Sequence, residues 1–332
     1  NAVRNFRKSI ILRPNFNEAY NNLGNVSKEC GEFEDAIDSY TNATYIQPDY
    51  ETVNYNYGSF LYELGRLEEA VKYLRKSERA ESQTYLLRCL FKQEERLDFE
   101  KQLNKLTSQK LSNSLIGLLA CQATIKYGLE IKNTFCSTPL DHVLEVDLRQ
   151  RCDFDVIFID TVQRILNAHD TPNRAQALLK NGYQTAGNLF FLEPDLTHEI
   201  KKVVDKELEN YRDVFKDSKE GFLKHWPRNY TINAWLICMK SGGELQPHMH
   251  ENGWLSGSIY INVPNDIEAD TGKLVLCLDD NKNSIQKTSY PETIIDVHTG
   301  SLCLFPSSLL HYTIPFESKE DRIVMAFDVI PV

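Results

Sequence analysis

The stretch QPHMHENGWLSGSIYINVP, residues 246–264, sets two histidines one residue apart and follows them with alternating apolar and polar side chains. In a β-strand residues i and i+2 share a face. His248 and His250 are therefore expected on one side, with backbones ~7 Å apart, a spacing that lets two imidazoles converge on one metal ion. Glu251 then points the other way unless the strand has already ended. Further along, Leu255, Ile259, Ile261 and Val263 form an apolar face suited to a covering helix or sheet. Trp254, Ser256, Ser258, Tyr260 and Asn262 form the opposite face, too polar for a dry core.

The sequence around this stretch has the same texture. From 229 onward short apolar runs alternate with Gly, Pro, Asn and Asp, as expected for strands joined by turns. About eight strands are expected: YTINAWLICMK, ELQPHMH, WLSGSIYINVP, GKLVLCLD, ETIIDV, SLCLFP, LLHYTIP and DRIVMAFDVIP. Without intervening helices they predict a closed or sandwiched jelly roll. In the last strand Ile323, Met325, Phe327 and Val329 form the apolar face; Arg322, Val324, Ala326 and Asp328 form the other. Two strands that each offer small or polar groups to one side leave room for a ligand.

A third metal ligand has to come from a partner strand, with His298 and His311 as candidates. The segment GSLCLFPSSLLHYTIPFESKEDR favours His311, because Arg322 follows eleven residues later at the head of the last strand. A hairpin then places the guanidinium deeper in the same barrel, where it can take a carboxylate bidentately. His298, in the turn DVHTG, reads as a surface histidine. Asn233 and Trp235, alternating on the preceding strand, are candidate pocket walls, the Trp equally a core residue.

The front of the chain is a different object. ECGEFEDAIDSY (29–40) and ELGRLEEAVKYL (63–74) align at a shift of 34, with Gly24 on Gly58, Gly31 on Gly65, Ala36 on Ala70 and Tyr40 on Leu74. The same shift backwards carries Ala36 to Ala2 and Pro48 to Pro14. Small residues let two helices approach, larger ones fill between them, and Pro48 stops the second helix. This resembles the tetratricopeptide repeat family over residues 1–80, with the first repeat truncated. Residues 81–145 are expected to hold irregular or capping helices and a linker, with CSTPLDHVLEVDL as linker. DFDVIFIDTVQRILN is apolar enough to join the following core. A strand is expected over 183–191, then an amphipathic helix in PDLTHEIKKVVDKELENYRDVF.

Composition bounds the function. At 332 residues, 42% hydrophobic, 25% charged and with net charge −10, the chain suits two domains and lacks the basic face that phosphate binding requires, which argues against nucleic acid. Eight cysteines without a CxxC pair, several inside apolar runs, read as free thiols in a reducing compartment, so the cytoplasm is the expected location. No apolar run approaches the ~18 residues of a membrane span. The opening NAVRNF, without Met, reads as a fragment with residues missing before position 1.

Residues 183–332 resemble the double-stranded β-helix oxygenases that depend on iron(II) and 2-oxoglutarate, in particular a subgroup often found behind tetratricopeptide repeats. The resemblance rests on His248, His250, Trp254, Ser256, Gly257, Tyr260, Gly300, Phe305, Pro306, His311 and Arg322. It implies an α + β multidomain chain: a helical solenoid followed, over 146–332, by a double-stranded β-helix with supporting helices. The superfamily's triad is two histidines and one carboxylate. Here the acidic position is His250, a departure with three readings. His250 ligates, as in some cupin dioxygenases; Glu251 swings in; or His250 stands outside the ligand set and water or an anion completes it. The first is favoured, because strand phase puts 248 and 250 together.

The resemblance further implies Fe(II) held by His248, His250 and His311. 2-Oxoglutarate would chelate the metal, with its far carboxylate on Arg322 and hydrogen bonds from Tyr260 or Ser256 in a cavity walled by Asn233. Molecular oxygen would be the oxidant and a C–H bond the target. Four readings follow: a hydroxylase of a peptide or protein recruited by the repeats; a small-molecule 2-oxoglutarate oxygenase; a three-histidine dioxygenase or zinc hydrolase without that cosubstrate; and a silent scaffold. Arg322 separates the first two from the third, and the repeats favour the first by analogy of fold. Association into a homodimer stays open.

Overall fold

In the computed structural model, described for residues 2–332 apart from 129, 169–171, 175, 266–267, 269 and 280–289, the chain divides into two compact units, Asn1–Leu111 and Ser112–Val332. The first is helical: α1 (Ala2–Leu12), α2 (Asn17–Glu29), α3 (Phe33–Ile46), α4 (Glu51–Glu63), α5 (Leu67–Leu74), α6 (Ala80–Lys92) and α7 (Arg96–Ser108). The aligned residues meet as their sizes require. A Cβ on Gly24 would lie 2.8 Å from the Tyr40 ring and one on Gly58 2.7 Å from Leu74, so each glycine lets the following helix close. Ala36 and Ala70 are fully buried at the same crossings. Asn17 Nδ2 donates to the Ala43 carbonyl at 2.7 Å and Asn54 Nδ2 to that of Pro48 at 2.8 Å, tying each hairpin to its end.

Beyond residue 80 the hairpins continue where irregular helices are expected. Three-residue turns fall at 30–32, 64–66 and 93–95, spaced by 34 and then 29 residues. The short α5 breaks the period, which is why the pattern fades from the sequence while α6 and α7 still pair.

The second unit starts at 112, inside the stretch expected to link the domains. Its first helix, α8 (Ser114–Tyr127), is buried at every position from 114 to 123. A helix apolar all round must lie in a core, and Leu118 and Cys121 pack with Tyr260, Leu276 and Phe305. CSTPLDHVLEVDL is also part of the core: Cys136, Val146 and Leu148 are buried, and strand β1 (Leu144–Asp147) pairs with residues Ser301–Leu304 of a later strand. A π-helical turn leads into α9 (Asp160–Asn167), whose Val162 and Ile165 join the core as expected.

The strands are β2 (Asn173–Arg174), β3 (Leu179–Thr185), β4 (Tyr230–His248), β5 (Leu255–Asn262), β6 (Leu274–Cys277), β7 (Glu292–Ile295), β8 (Ser301–Pro306), β9 (Leu310–Phe316) and β10 (Arg322–Pro331), with helices α10 (Leu189–Leu192), α11 (Pro194–Val214) and α12 (Gly221–Lys224) between β3 and β4. The described strands form one antiparallel sheet in the order β1-β8-β5-β10-β4-β9-β6-β7, with β3 added beside β4 and β2 beside β3. It curls into a jelly roll. The expected strand at 183–191 starts earlier and stops at Thr185, because the Asn188 side chain caps α10 and turns the chain.

β4 spans two of the expected strands. Its first half pairs with β10 and its second with β9, and it changes partner at Gly242–Gly243, where Gly242 has φ +73°. β3 bonds to both halves and holds them as one strand. The outer face of β8-β5-β10-β4 packs Leu302, Ile259, Met325, Phe327 and Leu236 against α9 and α11. The opposite face is shared between the core around α8 and a cavity. No helix among the described residues is long and apolar enough to cross a membrane.

Filling a helix crossing tests this account of the first unit. Gly58→Val is expected to destabilise it by about 1–3 kcal/mol through overpacking against Leu74. Urea unfolding followed by circular dichroism measures the loss; an unchanged midpoint would show the crossing to be slack.

Candidate active site

Sheet register assembles the cavity. β10 lies between β4 and β5, and residues directly opposite in antiparallel strands share a face. Ala326 stands opposite Trp235 and Ser258, Val324 opposite Ile237 and Tyr260, and Arg322 opposite Met239. All of these line one cavity of about 490 Å³, with Asn233 and the three histidines. Among its described lining residues there is no carboxylate.

His248, the last residue of β4, is paired directly with His311 of β9, and their rings lie 4.3 Å apart. The His250 ring is 5.2 Å from His248 and 4.9 Å from His311. One ligand atom from each of the three lies within 4.8 Å of the others, the arrangement a metal ion requires. His250 reaches this position by a route other than strand phase, since β4 ends two residues earlier. Ser114 Oγ donates to the carbonyls of His250 and Glu251, at 3.3 and 2.9 Å, and pins the turn. The Glu251 side chain is not part of the cluster.

The hydrogen bonds select the free nitrogens. His248 Nδ1 donates to the Gln246 carbonyl at 2.9 Å, and His250 Nδ1 to Asp328 Oδ1 at 2.7 Å, so each keeps Nε2 for a metal. His311 Nδ1 is buried with no hydrogen-bond partner of good geometry among the described residues. Burial, helped by the neighbouring His250, lowers the His248 pKa to about 4. Burial and both neighbours hold His311 well below the usual range. At His250 burial pulls the same way, but the charge and hydrogen bond of Asp328 outweigh it and raise the pKa. Two of the imidazoles are thus neutral near pH 7, the form that ligates.

Arg322 is 2% exposed. Its Nε donates to the Gly272 carbonyl at 3.1 Å, and its guanidinium lies 5.1 Å over the Tyr260 ring. Burial lowers its pKa against the opposing pull of Tyr260. Among the described residues no carboxylate pairs with it. A buried cation without an anion is costly, so the site fits an anionic ligand. A metal held by the histidines and an acid held by Arg322 both match the donors present.

Of the residues expected here, His248, His250, His311, Arg322, Tyr260 and Asn233 meet at the cavity, and Trp235 lines it edge-on to His250 at 5.4 Å. Ser256 does not. It is buried outside the cavity lining, and its hydroxyl donates to Asp328 Oδ1 at 2.8 Å and meets Ser307 Oγ at 2.8 Å. Trp254 leaves the polar face as well: it packs edge-on to Phe135, with Nε1 donating to the Phe222 carbonyl. His298 sits on the surface, as expected. The residue overlooked is Asp328. Its position on the inner face of β10 was visible, but not the histidine it would meet.

Residues 233–328 match the family described as “Putative 2OG-Fe(II) oxygenase”, and residues 18–50 and 52–89 match the tetratricopeptide repeat. The second unit thus carries a 2-oxoglutarate-dependent dioxygenase domain behind a repeat array. No curated protein matches the chain. Among solved structures, a Pseudomonas putida prolyl-4-hydroxylase is 12% identical with a TM-score of 0.41, over 57% of this chain and 93% of its own. A Trichoplax adhaerens prolyl hydroxylase, in complex with a hypoxia inducible factor oxygen degradation domain peptide fragment, is 14% identical with a TM-score of 0.40, over 68% and 92%. Pseudomonas aeruginosa pilF is 22% identical with a TM-score of 0.34, over 37% and 59%.

Calorimetric titration with Co(II) tests the cluster. His248→Ala and His311→Ala are expected to abolish binding and His250→Ala to weaken it strongly. Full affinity in the His250 variant would remove that residue from the ligand set.

Proposed function

We propose that this chain is an iron(II)- and 2-oxoglutarate-dependent hydroxylase acting on a peptide or protein recruited by its repeats. The observation that carries the proposal is Arg322: a buried guanidinium without a carboxylate partner among the described residues, in the same cavity as three clustered histidines. A cosubstrate with one acid group for the metal and another for an arginine answers both features. A dioxygenase without such a cosubstrate leaves the arginine unexplained.

In this reading His248, His250 and His311 hold iron(II), which supplies oxygen activation and the oxidation of a C–H bond. Arg322 takes the far carboxylate bidentately. Tyr260, whose hydroxyl burial keeps protonated, serves as a hydrogen-bond donor beside it. Leu274, Val324 and Met239 close the walls and exclude water, which strengthens the ion pair. Asn233, Gln184 and Trp235 line the remaining space, where amide side chains suit a peptide backbone. Tetratricopeptide hairpins stack into concave surfaces that hold extended chains, which supports the recruiting role. The cysteines form no disulfide among the described residues, which suits a reducing, cytoplasmic setting.

Anaerobic addition of 2-oxoglutarate to the Fe(II)-loaded protein is expected to produce a visible charge-transfer band. Iron binding without the band would leave a three-histidine dioxygenase. Arg322→Ala should raise the 2-oxoglutarate requirement by at least ~2 kcal/mol, roughly 30-fold; an unchanged requirement would sink the cosubstrate assignment. Succinate formation should be stimulated by peptides captured by the full chain. Stimulation by small metabolites alone would replace the peptide reading.

A further inference from the structure

Asp328 is a buried carboxylate with two specific side-chain partners. Its Oδ1 accepts from His250 Nδ1 at 2.7 Å and from Ser256 Oγ at 2.8 Å, and Ser256 is in turn 2.8 Å from Ser307 Oγ. Ser256 and Ser307 are 2% and 1% exposed and Asp328 6%. Register supports the arrangement, since Ser256 and Asn233 both stand opposite Asp328 on the flanking strands. His250 itself lies beyond the end of β4, outside the hydrogen-bond ladder that orients His248 and His311. Its ring needs a side-chain anchor.

We infer that Asp328, braced by Ser256 and Ser307, is a positioning residue that orients His250 with Nε2 toward the metal and supplies the negative charge of a carboxylate-containing triad from one residue further out. This rests on the three-histidine reading above. A carboxylate on the far nitrogen of a ligating imidazole locks the tautomer and the ring plane and raises the ligand's basicity. The usual triad places a carboxylate on the metal itself. Here a histidine stands at that place with the carboxylate behind it. Ser256, by the same geometry, acts on Asp328 and not on the cosubstrate.

Co(II) binding to the full chain tests the role through affinity and the visible ligand-field spectrum. Asp328→Ala is expected to lose affinity by about 10- to 100-fold and to shift the Co(II) bands. Asp328→Asn, which keeps an acceptor but removes the charge, should lose less affinity and still shift them. In a His250→Gln background the Asp328 substitutions should cost almost nothing further, because the effect runs through that ring. A merely structural role would lower the thermal midpoint of the apoprotein while leaving the spectrum and the affinity of folded protein unchanged, and that result would overturn the inference. Should Asp328→Ala fail to fold, Asp328→Asn decides alone: parental affinity and spectrum reject the role. A parent chain that binds no Co(II) would overturn the metal site and this role together. A parent that binds, with variants that bind equally, overturns the role alone.

Discussion

The alternation of side chains along β10 is the constraint on which the second unit depends. Met325, Phe327 and Val329 point outward into the core shared with α9 and α11, and this burial fixes the register of the strand. A slip by one residue would exchange every side chain between faces. The same register therefore determines that Arg322, Val324 and Ala326 line the cavity and that Asp328 lies within reach of His250. Packing and chemistry are two sides of one strand. The apolar side supplies the energy that holds the polar side in place.

Electrostatics then gives the cavity its character. The chain carries a net charge of −10, yet no carboxylate is among the described cavity lining. A buried guanidinium compensated by one carbonyl and an aromatic ring carries a desolvation cost, which an anionic ligand would offset. The histidines obey the same logic: buried together, His248 and His311 are kept neutral, the form whose nitrogen lone pair is free for a cation.

The first unit is held by a simpler device. Glycine against tyrosine, or glycine against leucine, lets successive helices close to a distance that a Cβ would forbid. The α2–α3 and α4–α5 hairpins share this complementarity, and an array of this kind needs only neighbouring contacts to hold its form. Where α5 shortens, the spacing changes but the pairing of the helices does not.

The sequence by itself determined a good deal. Period-34 spacing identified the repeats, and period-2 alternation identified the inner faces of β5 and β10. His248, His311 and Arg322 were legible because spacing along a strand or hairpin is a local property that side-chain order preserves. The tertiary structure decided what depends on contacts distant in the chain. Asp328 meets His250 across 78 positions, and Ser114 reaches the turn at 250–251 across 136 and 137. The end of β4 at His248, the capture of Ser256 by Asp328 and the turning of Trp254 toward Phe135 belong to the same class. Alternation says which side of a strand a residue occupies. Only the curl of the sheet says what it finds there.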